Sequence, residues 1–211
     1  WRAGGLDIAH YPLGLEPIPV TTATASEGEV PRVLCVSTIE GRKNHRALLD
    51  AAEALWRAGA RFELELIGMP RADTGAAALA LIRELQAAGR PLHYHGVVSE
   101  AALHAAYARA AFTVYPSLME GFGLPVLESL QHGRPCVCLG TGALGEAARG
   151  GGVRTVQSVD AATLERTIGG LLAEPAACRA LAAEAQARKF RSWKDYTHDL
   201  RAWMATLPRR A

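Results

Sequence analysis

The chain has 211 residues, and its 23 lysine and arginine residues against 21 aspartate and glutamate residues leave a formal net charge of only +2. Such a balance gives no support to nucleic-acid binding through bulk charge. Hydrophobic residues make up 49% and charged residues 21% of the chain, which excludes wholesale disorder. No apolar run reaches the roughly 18 residues that a transmembrane helix requires.

Residues 1–28 show little hydrophobic periodicity and are punctuated by proline between Tyr11 and Pro19. We interpret 1–28 as a linker that closes a preceding domain. The first residue is Trp1 and not methionine, so we expect the sequence to be a piece of a longer protein.

From Val30 onward, short apolar segments alternate with segments of helical periodicity. The strand-like segments are 30–37, 62–68, 92–96, 112–116, 135–139 and 153–156. The helical segments are 44–58, 76–88, 99–109, 124–132, 161–173 and 175–189. This alternation predicts an α/β domain over residues 29–190, a Rossmann-like three-layer α/β/α fold with a parallel sheet of about six strands. In such sheets ligands bind beyond the carboxyl ends of the strands.

The last segment, 191–211, carries an apolar stripe at helical spacing. Its members are Trp193, Tyr196, Leu200, Trp203 and Leu207. The stripe predicts one amphipathic helix. Two interpretations stay open, because the helix either packs on the sheet of this domain or contacts a partner outside the sequence.

The four cysteines form no CxxC pair and no cluster with zinc spacing. Three of them, Cys35, Cys136 and Cys138, lie in strand-like segments, and the fourth is Cys178. We interpret all four as reduced thiols used as small apolar side chains. This usage favours a reducing, cytoplasmic location.

The loop after the first predicted strand places two cations, Arg42 and Lys43, at the start of a helix. The helix dipole disfavours positive charge at that end. A bound anion would remove the conflict, because arginine and lysine both pair with phosphate. A solvated basic pair without a ligand is the alternative.

The loop after the fourth predicted strand contains Gly121 and Gly123 between two acids, Glu120 and Glu128. Glycine lets the backbone approach a ligand closely. Pro125 suits the first turn of a helix, whose free amides favour an anion such as phosphate. The carboxylate of Glu128, about one turn into that helix, has enough acceptor positions to bind a vicinal diol such as a ribose. Together with the cations of the first loop, the arrangement predicts a site for a diphosphate with sugars on both sides.

Two further loops end at the same predicted edge. Residues 140–146 are rich in glycine and predict flexible backbone, and the segment from Gly96 to Glu100 could present backbone to a base. Each of these two loops is equally well explained as a simple connection.

The spacing of Glu120 and Glu128 resembles the Glu-seven-residues-Glu motif of the retaining glycosyltransferases of family 4, the group 1 glycosyltransferases. The segment 42–45 (RKNH) is similar to the phosphate-binding start of that family, and 96–107 is similar to its G-x-V-s-x-x-x-L-x-x-x-Y stretch. Gly145-Glu146-Ala147 resembles its later P-E-V region, with glycine in place of proline.

This resemblance implies the carboxyl-terminal, donor-binding half of a GT-B fold, whose two Rossmann-like domains face each other across a cleft. The helix in 191–211 would cross back to the missing amino-terminal domain, which would bind the acceptor and supply any peripheral contact with the membrane. The implied partners are a nucleotide-sugar donor and that missing domain, with no nucleic acid. The implied location is the cytoplasm, including the inner face of the membrane, in polysaccharide or lipopolysaccharide assembly.

By the same resemblance, Arg42 and Lys43 would bind the donor diphosphate and Glu120 would contact the transferred sugar, and these three form the expected catalytic set. The expected substrate-binding residues are Gly121, Phe122, Gly123 and Leu124 near the phosphates or the sugar, Glu128 at the ribose and Val98 beside the base.

The implied reaction transfers a hexose from a UDP- or GDP-sugar to a sugar or lipid-linked acceptor with retention of the anomeric configuration. We assign no carboxylate nucleophile. Two cations and a helix terminus would stabilise the leaving diphosphate. Since the sequence contains no Asp-x-Asp motif, we expect no metal cofactor. We also expect the chain to bind the donor but to transfer little or no sugar by itself.

Other classes share the predicted sheet. A dinucleotide oxidoreductase would carry a G-x-G-x-x-G turn after the first strand, where this chain has Thr38 to Arg42. A response-regulator-like domain would need an early acidic pocket, where only Glu40 is present. A GT-B sugar epimerase would need its own set of acids. The main alternative is a nucleotide-binding or assembly module that lacks catalysis.

Overall fold

The computed structural model describes residues 2–3, 6–18 and 29–207. The part of the predicted linker at 19–28 therefore lies outside the described residues. The chain divides into two compact units, one formed by 1–19 together with 189–211 and the other by 20–188.

The larger unit contains a six-stranded sheet in which every strand pairs in parallel. Its strands are β3 (Arg32–Val36), β4 (Glu63–Ile67), β5 (Leu92–Tyr94), β6 (Phe112–Tyr115), β7 (Cys136–Leu139) and β8 (Val153–Val156). Their spatial order is β5-β4-β3-β6-β7-β8. The chain thus builds the sheet outward from β3 in one direction and then from β6 in the other.

Helices cover both faces of this sheet. They are α1 (His45–Arg57), α2 (Ala76–Ala87), α3 (Glu100–Arg109), α4 (Leu124–Gln131), α5 (Gly142–Ala148), α6 (Ala161–Ala173) and α7 (Pro175–Ala187). Because side chains alternate across a strand, Val33 and Cys35 of β3 join the core with α1, α2 and α6. Leu34, between them, packs with α3 on the opposite face. The predicted three-layer α/β/α class with six parallel strands is confirmed.

The predicted strands and helices all occur, most of them one or two residues shorter than predicted. The helix α5 was not predicted, because its two glycines, Gly142 and Gly145, have low helix propensity. Burial of Leu144 and Ala147 accompanies its formation. A Cβ at Gly145 would lie 2.4 Å from the Gly140 carbonyl oxygen, so this helix needs glycine at that position. The prediction of a flexible loop at 140–146 is wrong for its helical part.

The smaller unit contains a two-residue antiparallel ladder, β1 (Arg2–Ala3) with β2 (Leu6–Asp7), and the helix α8 (Trp193–Thr206). A capping box begins α8, with the Ser192 hydroxyl accepting from Asp195 N–H and the Asp195 carboxylate accepting from Ser192 N–H. The N–H of Leu15 donates to the Arg191 carbonyl at 2.8 Å, which ties the two parts of the unit together.

The apolar stripe of α8 is partly covered, with Tyr196, Leu200, Trp203 and Leu207 half-buried. None of residues 193–206 is buried, and Trp193 is 40% exposed. The expectation that 191–211 meets a preceding domain stays a prediction. In the described parts of the chain, no helix is both long enough and apolar enough to cross a membrane.

All four cysteines are free thiols. Cys35, Cys136 and Cys138 are buried on their strands, as predicted for small apolar side chains. Burial raises the pKa of the Cys35 thiol to about 12, so it stays protonated.

Candidate functional site

The strand order reverses between β3 and β6, which are hydrogen-bonded neighbours in the middle of the sheet. In an open parallel sheet, the loops that leave two such strands separate and create a crevice at the carboxyl edge. The loops after β3 and β6 are the two that carry the predicted cations and the predicted acids.

Arg42 and Lys43 lie in a single 3₁₀ turn, Gly41–Lys43, that precedes α1. Asn44 separates this turn from α1 with a left-handed backbone, φ 54°, and its side-chain amide donates to the Val159 carbonyl at 2.9 Å. The two cations therefore stand directly ahead of α1, at the predicted start of the helix, but in a separate turn of their own. The left-handed residue interrupts the helix and redirects the chain at this point.

Glu120 contacts both cations, although 77 residues separate it from Lys43. Its Oε1 is ion-paired with the Lys43 ammonium, and its Oε2 lies 3.0 Å from Arg42 Nη1. Arg42 also contacts Glu40, with 2.8 Å between Nε and Oε1. The side chains of Lys43 and Glu120 are only 9% and 10% exposed, whereas that of Arg42 is 48% exposed. The structure thus brings the three predicted catalytic residues together, with Arg42 as the solvent-facing member.

Three donors surround the Glu120 carboxylate. Burial by itself would raise its pKa, but hydrogen bonds from Lys43, Ser117 and Arg42 hold the pKa below its ordinary value of 4.5. The acid is therefore ionised at neutral pH. A carboxylate whose lone pairs are engaged by several donors is better suited to holding neighbouring groups in place than to attacking carbon.

The two glycines in the loop after β6 differ in the space around them. Gly123 is the N-cap of α4 and has φ 71°, and a Cβ there would lie 3.1 Å from the Ala147 Cβ and 3.2 Å from the Ala143 carbonyl oxygen. Gly121 is exposed, and a Cβ there would meet no atom within 4 Å. The fold therefore requires glycine at 123 and leaves 121 open for another role.

Fewer backbone N–H groups are available to a ligand at the start of α4 than the first turn of a helix usually offers. Pro125 has no N–H, and the N–H of Val126 already donates to the Gly123 carbonyl at 3.0 Å. No side chain caps α4 at its N-cap residue. Leu124 is the half-buried first residue of α4, and Phe122 beside the glycines is 47% exposed. The backbone N–H of Val126 is thus excluded from the predicted set of anion-binding amides.

Glu128 lies on α4 and is half buried. Its Oε2 accepts from the Tyr107 hydroxyl of α3 at 3.4 Å. Burial raises the pKa of this carboxyl above its ordinary value, and the Tyr107 hydrogen bond opposes that rise. The two predicted acids thus have different surroundings, since Glu120 is held by cations and Glu128 by a hydroxyl group.

Val98, the expected neighbour of the base, is half buried and packs against the cluster around Leu34 and Tyr107. The adjacent Val97 is 74% exposed. The Val98 side chain thus has a packing role in the structure, and its contact with a base stays a prediction.

Three residues near the site received no role in the sequence analysis: Ser117, His45 and Tyr107. Ser117 is buried and lies two residues after the end of β6, which is the one signal that could have identified it. The His45 ring is buried with Nε2 3.2 Å from Ser37 Oγ, and burial followed by the charge of Lys43 lowers its pKa to about 4. Neither burial nor these contacts can be read from residue spacing.

No group of three or more histidine, cysteine, aspartate or glutamate side chains among the described residues is arranged to hold a metal ion.

The model of the family "Glycosyl transferases group 1" matches residues 30–186. The O-antigen chain mannosyltransferase B of Escherichia coli is 34% identical over 169 residues, which cover 78% of this chain and 43% of that protein. A serotype-specific mannosyltransferase, WbdA, of Escherichia coli is 31% identical over 113 residues, covering 54% of this chain and 14% of that protein. The chain thus spans less than half the length of these curated relatives.

Solved structures share the fold at low sequence identity. The crystal structure of Anabaena Alr3699/HepE in complex with UDP and glucose superposes with a TM-score of 0.71 at 17% identity, over 84% of this chain and 49% of that chain. The crystal structure of TarM superposes with a TM-score of 0.65 at 14% identity, over 87% of this chain and 37% of that chain.

Proposed function

This chain belongs to the group 1 glycosyltransferases, and we propose that it is the donor-binding domain of a retaining enzyme of family 4. The proposed reaction transfers a hexose from a UDP- or GDP-sugar to a sugar or lipid-linked acceptor. The names of the Escherichia coli relatives make mannose the first hexose to test.

One observation carries this proposal: the cations of the β3 loop meet the first acid of the β6 loop at the reversal point of the sheet. A diphosphate at this edge would find the half-exposed guanidinium of Arg42 facing solvent and the ammonium of Lys43 behind it. Both positive groups are held by carboxylates, so little reorganisation is needed when charge develops on the phosphate.

The leaving group determines the mechanism. Breaking the anomeric C–O bond leaves negative charge on the β-phosphate, and Arg42 and Lys43 would stabilise this charge more in the transition state than in the ground state. Two fixed cations supply the charge that a divalent metal supplies elsewhere, so we infer a metal-independent reaction.

Glu120 has the role of a positioning and electrostatic residue in this proposal. Its carboxylate is engaged by Lys43, Arg42 and Ser117, which lowers its basicity and its value as a nucleophile. Retention then proceeds without an enzyme nucleophile, with the acceptor entering on the face that the diphosphate leaves.

The remaining roles are proposed for residues of α4 and of the loops that follow β5 and β6. Glu128 would accept hydrogen bonds from the ribose hydroxyl groups. The exposed backbone at Gly121 and Phe122 would approach the phosphates or the sugar, with Gly123 and Leu124 at the helix start. Val98 would lie near the base.

The organisation of the longer protein is proposed on the same basis. Residues 29–190 would form the nucleotide-sugar-binding domain, 1–28 would close an amino-terminal acceptor-binding domain, and 191–211 would cross back to it. We place the enzyme in the cytoplasm, at the inner face of the membrane, in lipopolysaccharide or polysaccharide assembly.

A panel of nucleotide sugars tests the proposal. Thermal unfolding of the chain would be followed with UDP-, GDP-, ADP- and dTDP-linked hexoses, because a ligand that binds the folded state raises the Tm. We expect one base to stabilise the chain, and we expect the longer enzyme to transfer the sugar to candidate acceptors. Stabilisation without transfer by the longer enzyme would favour the non-catalytic binding module, and no stabilisation by any donor would contradict the proposal.

A further inference from the structure

Two buried tyrosine hydroxyl groups form a line that ends on Glu128. The hydroxyl oxygens of Tyr115, the last residue of β6, and Tyr107 of α3 are 2.9 Å apart, and Tyr107 Oη is 3.4 Å from Glu128 Oε2. Tyr107 and Tyr115 are only 1% and 2% exposed. Three different elements therefore meet at hydroxyl and carboxylate groups behind the candidate site.

The number of hydrogens sets the direction of this line. An ionised carboxylate only accepts, and a tyrosine hydroxyl has a single hydrogen to donate. Tyr107 therefore donates to Glu128, and the lone pairs of Tyr107 accept from Tyr115. Hydrogen bonds arranged in series polarise one another, so the Tyr115 hydroxyl strengthens the donor that reaches Glu128.

The ring of Tyr107 is held from the same helix that carries Glu128. The His132 ring stacks on it with centroids 4.4 Å apart and an interplanar angle of 10°. His132 follows Glu128 by four residues, and its N–H donates to the Glu128 carbonyl at 3.1 Å, so both side chains lie on one face of α4. The C-cap residue of α4 thus contacts the Tyr107 ring, and Glu128 within α4 accepts the Tyr107 hydroxyl hydrogen.

From this geometry we propose that Tyr107 is a positioning residue for the ribose contact. Its hydroxyl uses one lone pair of Glu128 Oε2 and sets the orientation of the carboxylate. The other acceptor positions of that carboxylate then receive the 2′ and 3′ hydroxyl groups of the donor nucleotide. This inference rests on the proposed function, in which Glu128 binds the ribose.

Binding of the ribose by Glu128 should depend on pH. A carboxylate accepts both ribose hydroxyl groups only when it is ionised, so nucleotide affinity falls as the pH drops through the pKa of Glu128. Burial raises that pKa and the Tyr107 hydrogen bond lowers it. Loss of the hydroxyl therefore raises the pKa, and the fall in affinity begins at a higher pH.

Other titratable side chains lie around the hydrogen bonds that join Tyr115, Tyr107 and Glu128. The β7 residue Cys136 lies beside both tyrosines, and burial raises its pKa, so the thiol stays neutral. His132 has its pKa lowered to about 4 by burial, followed by His104 and Arg134. His104 lies with Nδ1 3.2 Å from His132 Nε2. The pH comparison is therefore made between variants that keep both histidines.

The experiment compares the ribonucleotides UDP and GDP with their 2′,3′-dideoxy analogues by calorimetry. The variants are Tyr107→Phe, Glu128→Gln and Tyr115→Phe. A matched control is Tyr94→Phe, which removes a hydroxyl that donates to the Gly68 carbonyl at 3.0 Å and does not touch Glu128. Thermal unfolding of each variant reports whether it is folded.

We expect Tyr107→Phe to weaken ribonucleotide binding about five- to tenfold and to leave dideoxynucleotide binding unchanged. The loss of ribonucleotide affinity on acidification should begin at a higher pH in this variant than in the wild type. Tyr115→Phe should have a smaller effect of the same kind, and Tyr94→Phe should have none. If Tyr107→Phe only made the folded protein less stable, binding of the dideoxynucleotide would weaken by the same factor as binding of the ribonucleotide. That result would overturn the inference.

Different results would contradict the ribose role of Glu128 and the positioning role of Tyr107. If the wild-type chain does not distinguish ribonucleotides from dideoxynucleotides and Glu128→Gln changes nothing, the ribose role of Glu128 is wrong. If Glu128→Gln removes the distinction but Tyr107→Phe preserves both the affinity and the pH profile, the ribose role stands and the positioning role of Tyr107 is wrong.

Discussion

The ammonium of Lys43 and the carboxylate of Glu120 form an ion pair that joins the loop after β3 to the loop after β6. Both side chains are about nine-tenths covered, so each charge depends on the other and on the neighbouring Arg42 and Ser117. Buried charges are stable only when they are paired and hydrogen-bonded. This pair therefore holds the two loops of the candidate site together.

A double-mutant cycle with Lys43→Met and Glu120→Gln measures that coupling. We expect each single variant to lower the free energy of unfolding, and we expect a coupling energy of about 1–3 kcal/mol between them. Urea denaturation at neutral pH is the measurement. The exposed pair Arg46 and Asp50, 2.9 Å apart on α1, is the control and should couple by less than about 0.5 kcal/mol.

The same pair predicts a pH dependence. The folded-state pKa of Glu120 lies below its ordinary value of 4.5, so its contribution to stability is present above pH 4.5 and is lost as the pH falls through the folded pKa. The difference in stability between the wild type and Glu120→Gln should shrink in acid below that value. A difference that stayed constant down to the acid transition would contradict the pairing.

Arg42→Ala should weaken the binding of nucleoside diphosphates about tenfold or more, because a charge-assisted hydrogen bond to phosphate is lost. Calorimetry with UDP and GDP, each compared with its monophosphate, would show a larger loss for the diphosphate. Arg46→Ala, which removes an exposed cation of α1, serves as the charge-matched control. Equal affinity of Arg42→Ala and wild type for the diphosphate would refute the phosphate contact.

The glycines at 121 and 123 should respond oppositely to alanine. Gly123→Ala forces a side chain into φ 71° and against Ala147 and the Ala143 carbonyl, so we expect a loss of about 1–3 kcal/mol in chemical denaturation. Gly121→Ala meets no atom within 4 Å and should change stability by less than about 0.5 kcal/mol. If the backbone at 121 approaches the donor, Gly121→Ala should instead weaken nucleotide binding.

Excess EDTA should leave nucleotide affinity unchanged in a calorimetric titration, because Arg42 and Lys43 supply the positive charge. Repeating the titration with added magnesium chloride provides the comparison. A marked gain in affinity with magnesium, removed again by EDTA, would show that the two cations are insufficient.

His45 should make the chain less stable in mild acid. Burial, and then the Lys43 charge, lower its pKa from 6.5 to about 4, so its contribution is intact above pH 6.5 and is lost as the pH falls toward 4. The loss for this residue is of the order of 3 kcal/mol. His45→Gln should flatten the pH dependence of urea denaturation in this window, whereas His198→Gln on the exposed surface of α8 should not.

The linear pattern of residues determined the α/β class, the number of strands and the loops that carry the candidate site. Hydrophobic periodicity reflects burial on one side of each element, and burial is a local property of strands and amphipathic helices. Turn residues such as Gly59 and the N-cap Ser99 placed helix ends to within one or two positions. The same reasoning missed α5, because its two glycines conceal a helix that forms through packing.

Only the tertiary structure decided which groups touch. The sequence assigned Glu120 and Glu128 to different parts of the ligand but not to partners within the protein, where Lys43 and Arg42 contact the first and Tyr107 contacts the second. Their protonation differs because desolvation and hydrogen bonding depend on residues distant in sequence. Such contacts arise when the β3, β6 and α3 segments are brought to one edge of the sheet, and no local pattern of residues encodes them.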